Sequence, residues 1–429
     1  MAPATLPRTP DEVLAERMQF LGQAMLVLFL AGWFAGLFPF DDLLDRCGTP
    51  LGADYSMFYV AGQVVLDGAA DRLYDQAEHQ QRLHALFPGL DNAFCLPYRY
   101  PPFVAVLMAP LAALPYPISY GCFLLLSCLA WASAIWLMTK HLRILRGRWR
   151  RPVLWAIAGW PLAWETLMGG QASMFAMLIL SCSFVLVRAR RWVSAGAVLA
   201  LAAYKPNVLA FVALGIVLRY PRMLKGAIPI ATLLGLFSLF PAGWKGWNDY
   251  MALSSQLALQ PWNVATPYWK VHGIASWLAM LPGENERVCS LVLGAALAAL
   301  VAWFWRSSEA SETTAAPLAI GALVSVNALF NPYTPIYDLS LLMVGSLLTA
   351  ESLARRYGAS VAGRLGLAQV ILATIYFGPH LSQVTSQWIA VQPFSLALLV
   401  LFFWQLRHFG KRGRSSFSMT DRSLPMTHP

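Results

Sequence analysis

The chain has 429 residues, of which 58% are hydrophobic and only 12% are charged, and its mean hydropathy is +0.54. This is too little polar surface to cover a soluble globule of that size, so the composition predicts a polytopic membrane protein. The formal net charge of +10 does not indicate nucleic-acid binding, because the basic residues form short clusters between apolar runs. Such clusters are typical of membrane topology signals.

Apolar runs predict an all-α fold with about twelve transmembrane helices. A span needs about 20 apolar residues, or fewer where the helix is broken or leans on neighbours. The first run has no small-residue cleavage site, so we expect an uncleaved span. The predicted spans cover residues 20–38, 118–138, 153–168, 172–188, 193–204, 206–218, 226–241, 288–305, 316–330, 337–350, 366–379 and 393–407.

Two stretches fit this scheme less regularly. Residues 102–114 are apolar but short, and they contain Pro110. A full span there would put the basic cluster 140–151 outside, so we predict an interfacial or re-entrant helix. The pair 193–204 and 206–218 is short on both sides of a Lys-Pro step, and it forms either two spans or one long broken helix.

The positive-inside rule then predicts the orientation. With twelve spans, both termini and five basic clusters lie in the cytoplasm, and these clusters are 140–151, 188–191, 219–225, 355–356 and 407–414. The acidic loop 41–100 lies outside. The sequence thus predicts a bacterial inner membrane protein with a single transmembrane domain, two large periplasmic loops and a disordered cytoplasmic tail. These parts are residues 1–415, with loops 39–117 and 242–287, and residues 416–429.

Two of the six cysteines bracket one polar outer loop. Cys47 and Cys95 either pair as a disulfide, which an oxidising compartment permits, or remain reduced. The other four lie in or beside apolar spans and are expected to be packing residues. The sequence leaves the pairing open.

Polar residues that interrupt apolar runs gather on the predicted outer side. A charge near the hydrocarbon boundary is costly unless it is paired or wet, so each of them is a functional hypothesis. They are Asp54, "YRYPP" (98–102), "GGQ" (169–171), "YKP" (204–206), "WKVHG" (269–273) and "NPYTPIYD" (331–338).

Asp54 begins a stretch in which Tyr55, Phe58 and Tyr59 recur at helical spacing. This pattern predicts a helix that lies along the membrane surface with one apolar face. The carboxylate at its start is either an N-cap or a catalytic or ligand-binding group. Asp75 follows a turn signal and has the same alternatives, a capped loop helix or a ligand contact.

The basic candidates also have two interpretations each. Arg99 lies between two tyrosines, as in an interfacial anchor belt, or it forms an anion site, because a guanidinium binds phosphate bidentately. Lys205 lies between two apolar half-helices, where an ammonium needs either snorkelling or an anionic partner. Pro206 suggests a broken helix, a common setting for membrane-embedded sites. His272 and Asp338 are site residues, or a solvated loop histidine and a helix cap.

These motifs resemble, in order and spacing, glycosyltransferase family 87, which includes mycobacterial polyprenyl-phosphate-mannose-dependent α-1,2-mannosyltransferases. The resemblance runs from about Asp54 to Leu342 and rests on five motifs in order. It implies a GT-C fold with interfacial helices in the first outer loop. It further implies a lipid-linked sugar donor, usually polyprenyl phosphate mannose, with inversion at the anomeric carbon and no obligatory metal or other cofactor.

The resemblance also implies a catalytic aspartate near the end of the first span, and Asp54 matches it. A carboxylate can take the proton of an attacking sugar hydroxyl while cations stabilise the leaving phosphate. Asp54 is therefore predicted as the general base. Predicted ligands of the donor phosphate are Lys205, Arg99 and His272, and predicted contacts to sugar or acceptor are Gln171, Tyr337, Asp338, Tyr55 and Asp75.

One departure from the family pattern concerns the last motif. Some members carry a histidine there that is thought to contact the donor phosphate, whereas "NPYTPIYD" has none, so Tyr333, Tyr337 or His272 would have to substitute. The aromatic-rich loop 242–287 does not specify the acceptor, a glycan or glycolipid. The rival functions are a lipid-linked sugar flippase or transporter, for which two related halves would be expected, and a polymerase or ligase of undecaprenyl-linked glycans.

Overall fold

A computed structural model describes residues 9–37, 43–91, 94, 96–259, 268–279, 286–357, 366–389 and 391–409. Within these residues the regular elements are helices, with two isolated β-bridges and no strand, so the all-helical class is confirmed. The α-helices are α1 (Pro10–Leu37), α2 (Tyr55–Leu66), α3 (Gln76–Leu86), α4 (Pro102–Ala112), α5 (Tyr116–His141), α6 (Arg150–Ala158), α7 (Pro161–Met168), α8 (Ser173–Arg188), α9 (Trp192–Ala200), α10 (Ala210–Arg219), α11 (Leu224–Leu259), α12 (Ile274–Leu278), α13 (Glu286–Ser307), α14 (Glu312–Phe330), α15 (Leu342–Tyr357), α16 (Gly366–Ile389) and α17 (Pro393–Arg407).

Six helical segments are long and apolar enough to cross a membrane, so the chain is a multi-pass membrane protein. Most of the other predicted spans correspond to shorter or broken helices, for example α6 and α7, which are interrupted at Gly159 and Trp160, whereas the span 366–379 lies in the 24-residue helix α16. The count of twelve therefore stays a prediction. The six segments in the described residues are Pro10–Gly36, Tyr116–His141, Pro221–Phe240, Glu286–Ser307, Glu312–Phe330 and Ile336–Arg356.

The centre of the bundle is formed by α14 and α15, which are buried along most of their length. They approach closely because Gly321 and Gly345 lie where they cross. A Cβ atom at Gly321 would lie 2.9 Å from the carbonyl oxygen of Gly345. By contrast α1 exposes Phe20, Val27 and Leu28, as expected for a helix at the periphery that faces lipid.

The ambiguous stretch 193–218 forms two short helices that turn back on each other and not one long broken helix, because the ring centroids of Trp192 at the start of α9 and Tyr220 after α10 lie 4.1 Å apart. After α9 the chain tightens into a 3-10 turn, Leu201–Tyr204, and Lys205 is extended at φ −143° and ψ 80°. The break follows from Pro206, which lacks an N–H group and disfavours a helical conformation in the residue before it. A second 3-10 turn, Pro206–Leu209, then leads into α10.

Two asparagines at the end of α14 bind the backbone groups that this break leaves unpaired. Asn327 donates to the carbonyl oxygen of Val208 at 2.9 Å and accepts from the amide of Phe211 at 3.0 Å. Asn331 donates to the carbonyl oxygen of Asn207 at 2.7 Å. The break is therefore held in place by α14, as backbone inside a membrane protein requires.

The helix after Asp54 differs from the prediction. It was expected to lie along the membrane surface, but α2 is buried on almost every side and packs against α3, α4 and α5. The aromatic spacing alone suggested one apolar face. Val60, Ala61 and Val64 are apolar as well, so the helix is apolar all round and belongs inside the protein.

The short helix α4 occupies the stretch where an interfacial or re-entrant helix was expected. It has 11 residues and packs against α2 and α11. Its length agrees with the expectation that residues 102–114 do not form a full span.

Helix α8 connects two chemically different ends of the bundle. The side chain of Ser173 at the start of α8 donates to Asp338, just before α15, at 2.5 Å. At the other end of α8, Arg188 donates to the carbonyl oxygen of His141, at the end of α5, at 2.7 Å. The 16 residues of α8 span about 24 Å between these ends. Candidate site residues thus lie at one end and arginines at the other.

Some predictions fall on residues outside the described part of the chain. These are the cytoplasmic tail 416–429, parts of the loop 242–287, and Cys95. Cys47 is exposed, and its pairing with Cys95 stays a prediction.

Gly170 forms the turn between α7 and α8 in the "GGQ" motif and has a φ of +63°. A Cβ atom there would lie 2.6 Å from the Cβ atom of Tyr55. The adjacent Gly169 accepts the amide of Asp54 at 3.1 Å. The turn must be glycine because it has a left-handed backbone and packs directly against the start of α2.

Gly170→Ala should destabilise the protein by about 1–3 kcal/mol, because it adds both backbone strain and a steric clash. The measurement is the thermal unfolding midpoint of the purified protein in detergent. Gly121→Ala is the matched control, because Gly121 lies inside α5 with no atom within 4 Å of an added Cβ. Equal midpoints for the two variants would contradict this account of the turn.

Candidate active site

Five separated segments bring polar side chains to one end of the bundle. They are the chain before α2, the chain before α4, the start of α8, the break before α10 and the segment before α15. Hydrogen bonds, an ion pair and ring contacts connect their side chains in pairs. The residues are Asp54, Arg99, Tyr100, Gln171, Ser173, Lys205, Tyr333, Tyr337 and Asp338.

Asp54 does not act as a helix cap. Its side chain makes no capping hydrogen bond, and its backbone is already helical at φ −67° and ψ −16°. Instead, the Oδ2 atom of Asp54 accepts a hydrogen bond from the Nε2 atom of Gln171. Gln171 is the one hydrogen-bond partner of this carboxylate within the described residues, so Oδ1 remains available to a ligand.

Gln171 is itself oriented by Tyr100. The Tyr100 hydroxyl donates to the Oε1 atom of Gln171 at 3.3 Å, which leaves the amide NH2 group pointing at Asp54. Because Tyr100 is almost fully buried, this chain of two hydrogen bonds is shielded from water. The three side chains therefore form a preorganised unit.

Opposing effects act on the charge of Asp54. Burial raises the pKa of its carboxyl above the usual range. The hydrogen bond from Gln171 opposes this rise. Three positive charges oppose it further, those of Lys205, Arg99 and Lys270. The result is a carboxylate that is more basic than usual and lies among cations.

Lys205 has an anionic partner within the protein. Its Nζ atom lies 2.6 Å from the Oδ1 atom of Asp338, and only 9% and 3% of the two side chains are exposed. Ser173 donates to the same oxygen at 2.5 Å. The ammonium also lies 4.6 Å from the ring centroid of Tyr337. A buried ion pair of this kind replaces the alternatives of snorkelling for Lys205 and capping for Asp338.

Two other cations near Asp54 are not neutralised. Arg99 is half-buried, and its Nη1 atom donates to the hydroxyl of Tyr333 at 3.2 Å. Lys270 is exposed, with its Nζ atom 5.1 Å from the ring centroid of Trp269. Neither forms an ion pair with a carboxylate in the part of the chain that the structure describes. They are the free positive charges of the site.

Backbone contacts hold the segment of His272 beside the "NPYTPIYD" motif. Its amide donates to the carbonyl oxygen of Thr334 at 2.7 Å, and Val271 forms an antiparallel bridge with Pro335. The ring is 1% exposed and packs edge-on against Phe394, so it is not a solvated loop side chain. Burial lowers its pKa to about 3. The imidazole is therefore uncharged at neutral pH and does not bring a positive charge to a phosphate.

Two predicted contacts to sugar or acceptor form structural contacts within the protein. Tyr55 is fully buried, and its hydroxyl lies 2.5 Å from the Oγ atom of Ser119. Asp75 caps α3, accepting the amide of Ala77 at 2.9 Å and that of Glu78 at 3.4 Å. Periodicity could not separate these roles from ligand contacts.

Sequence reasoning missed three residues of the cluster, Tyr100, Ser173 and Lys270. Each lies within two positions of a residue that was selected, in or beside a motif that interrupts an apolar run. This closeness in sequence to a selected residue is the signal that could have identified them. Among the described residues, no group of three His, Cys, Asp or Glu side chains forms a metal site.

The family model for glycosyltransferase family 87 matches residues 98–332, more than half of the chain. The matched stretch contains Arg99, Gln171 and Lys205, whereas Asp54 precedes it and Asp338 follows it. No curated protein and no solved structure matches. The match confirms the resemblance of the motifs, and it agrees with an all-helical protein whose helices cross a membrane. The chain is therefore a membrane glycosyltransferase that belongs to glycosyltransferase family 87.

Proposed function

We propose that this glycosyltransferase moves a sugar from a polyprenyl-phosphate donor to a hydroxyl group of a glycan or glycolipid acceptor. Mannose is the sugar that the family resemblance favours. One observation carries the proposal: the Asp54 carboxylate has one oxygen oriented by Gln171 and lies near two cations, Arg99 and Lys270, that have no carboxylate partner among the described residues. A base beside unneutralised positive charge suits attack by a hydroxyl and departure of a phosphate.

Asp54 is the general base in this proposal. Its Oδ1 atom accepts a hydrogen bond from the acceptor hydroxyl and takes the proton as the hydroxyl oxygen attacks the anomeric carbon. The bond between that carbon and the phosphate oxygen breaks, and the lipid phosphate leaves with the electron pair. Attack opposite the leaving group inverts the anomeric configuration. The raised pKa of Asp54 makes it a stronger base than an ordinary carboxylate.

Arg99 and Lys270 are the proposed ligands of the donor phosphate. A guanidinium offers paired N–H groups that match phosphate oxygens, and an ammonium adds a mobile charge. The bridge from Val271 to Pro335 brings the "WKVHG" segment to the motif that lacks the family histidine. Lys270 would then supply the positive charge there, while His272 would offer at most a neutral hydrogen bond.

The remaining predicted residues divide into two groups. Lys205 was predicted to bind phosphate and Asp338 a sugar, but in this proposal each neutralises the other, and the pair positions the site. Gln171 likewise positions Asp54 and does not contact the sugar. Tyr337 is partly exposed beside Lys205, and it is the proposed sugar contact.

The location of the cluster supports a lipid-linked donor. It lies at the end of α8 opposite Arg188, so the positive-inside rule favours a periplasmic site and cytoplasmic termini. A polyprenyl chain would lie along the helices while its phosphate reaches the cluster. We further propose a GT-C fold with about twelve spans in a bacterial inner membrane, and a reaction that needs no metal, since the cations supply the charge stabilisation.

Asp54→Asn should lower turnover by at least about 100-fold, because the amide cannot accept the proton. Purified protein is incubated with an acceptor mixture and a panel of polyprenyl-phosphate sugars, and released polyprenyl phosphate is measured. Asp75→Asn is the matched control: asparagine also caps helices, so this variant should keep its turnover. Full turnover of Asp54→Asn would refute the base. Movement of intact donor across vesicles without its consumption would establish a flippase instead.

The pH profile should show the raised pKa of Asp54. Protonated Asp54 cannot act as a base, so kcat/KM should fall on acidification with a midpoint above about 4, the usual carboxyl value. Gln171→Met removes a hydrogen bond that lowers this pKa, so its midpoint should move to higher pH. Loss of rate without any movement of the midpoint would show that Gln171 does not act through Asp54.

A further inference from the structure

A second charged cluster lies at the opposite end of the bundle, where α5, α8 and α15 end. Arg143 begins the turn after α5, and Arg146 follows it. Arg188 is the last residue of α8, and Arg355 lies in the last turn of α15. We call these four residues the arginine cluster. The reaction proposed above uses none of them.

One carboxylate lies inside the arginine cluster, and both of its oxygens are occupied. Glu351 is fully buried, and its Oε1 atom accepts from the Nε atom of Arg355 at 2.5 Å. Its Oε2 atom accepts the amide of Ile144 at 3.0 Å. In the described ranges, Arg143, Arg146 and Arg188 form no ion pair with any carboxylate. Glu351 acts on Arg188 only at longer range, so these three guanidinium groups have no direct carboxylate partner in the described ranges.

The fold holds these charges close together. Arg188 donates to the carbonyl oxygen of His141 at 2.7 Å, and Arg146 donates to that of Lys140. Arg188 is also within electrostatic range of three other arginines, Arg355, Arg143 and Arg146, and of one carboxylate, Glu351. The positive charges of these arginines repel each other. An anion bound among them would therefore be held by favourable electrostatic attraction.

The arginine cluster lies at the ends of candidate membrane spans, where lipid headgroups are expected. The candidate spans Tyr116–His141 and Ile336–Arg356 both end there. The Nζ atom of Lys140 lies 3.6 Å from the ring centroid of Trp136, which is exposed, and Trp and Lys at a helix end are typical of the membrane interface. One face of α5 exposes Leu125, Leu129 and Trp136 and leads directly to the cluster. Acyl chains could therefore pack beside a bound headgroup.

We propose that the arginine cluster binds the headgroup of an anionic phospholipid, with its phosphate between Arg143, Arg146 and Arg188 and its acyl chains along α5. Guanidinium groups bind phosphate oxygens in pairs, and basic pockets beside membrane helices attract anionic lipids. The site is independent of the transfer reaction, because about 24 Å of α8 separates it from Asp54.

The first test is a titration of the purified, detergent-solubilised full chain. Phosphatidylglycerol should raise the thermal unfolding midpoint in a saturable manner, whereas phosphatidylcholine and soluble glycerol phosphate should not. An equal effect of phosphatidylcholine would overturn the proposal, since the charge would then be irrelevant. An equal effect of glycerol phosphate would also overturn it, because the site would then bind free phosphate and not a lipid.

The second test uses variants. Arg143→Gln with Arg146→Gln should weaken the apparent affinity for phosphatidylglycerol about 30-fold, since each basic residue near an anionic lipid contributes a factor of about five. Both side chains are exposed, so the lipid-free midpoint should stay unchanged and report intact folding. The matched control is Arg222→Gln with Lys225→Gln, two exposed basic residues in another predicted cytoplasmic cluster. Equal affinities for the two double variants would refute the site.

Discussion

The buried ion pair between Lys205 and Asp338 is the contact on which the rest of the site depends. An ammonium so far from water is stable only beside a carboxylate, so the pair fixes the turn between α9 and α10 to the segment before α15. Ser173 ties the start of α8 to the same oxygen. Because Gln171 lies two residues before Ser173, this arrangement also sets where Gln171 meets Asp54.

The same pair determines how charge is distributed in the site. Lys205 and Asp338 neutralise each other, so the positive charge available to a ligand comes from Arg99 and Lys270, which lie outside the spans. Asp54, the proposed base, is within electrostatic range of Lys205 in the buried pair and of both free cations. The buried pair is neutral, and the free cations lie outside the spans. This arrangement suits a donor whose phosphate lies at the membrane boundary while its lipid chain remains among the helices.

The sequence predicted which residues form the site, but it did not predict which of them pair with each other. Asp54, Gln171, Lys205 and Asp338 were all found because a polar residue inside an apolar run is costly and therefore informative. Their pairing was not predictable, since it depends on contacts between distant helices. The surface position expected for α2 was wrong for a related reason: lipid and protein interior are equally apolar, so hydrophobic periodicity does not distinguish them. The break in the helix at Lys205 was recognisable because Pro206 acts locally, whereas the chain reversal there depends on contacts between Trp192 and Tyr220.

The most direct test of this account compares Lys205→Met, Asp338→Asn, which keeps an oxygen for Ser173, and the double variant in both unfolding and turnover. Each single variant should lose about 3–5 kcal/mol, because it leaves one charge buried without its partner. The double variant should regain most of that stability and also recover turnover, since the proposed phosphate ligands, Arg99 and Lys270, are unchanged. A double variant that is stable but as inactive as Lys205→Met would contradict the account and assign the donor phosphate to Lys205.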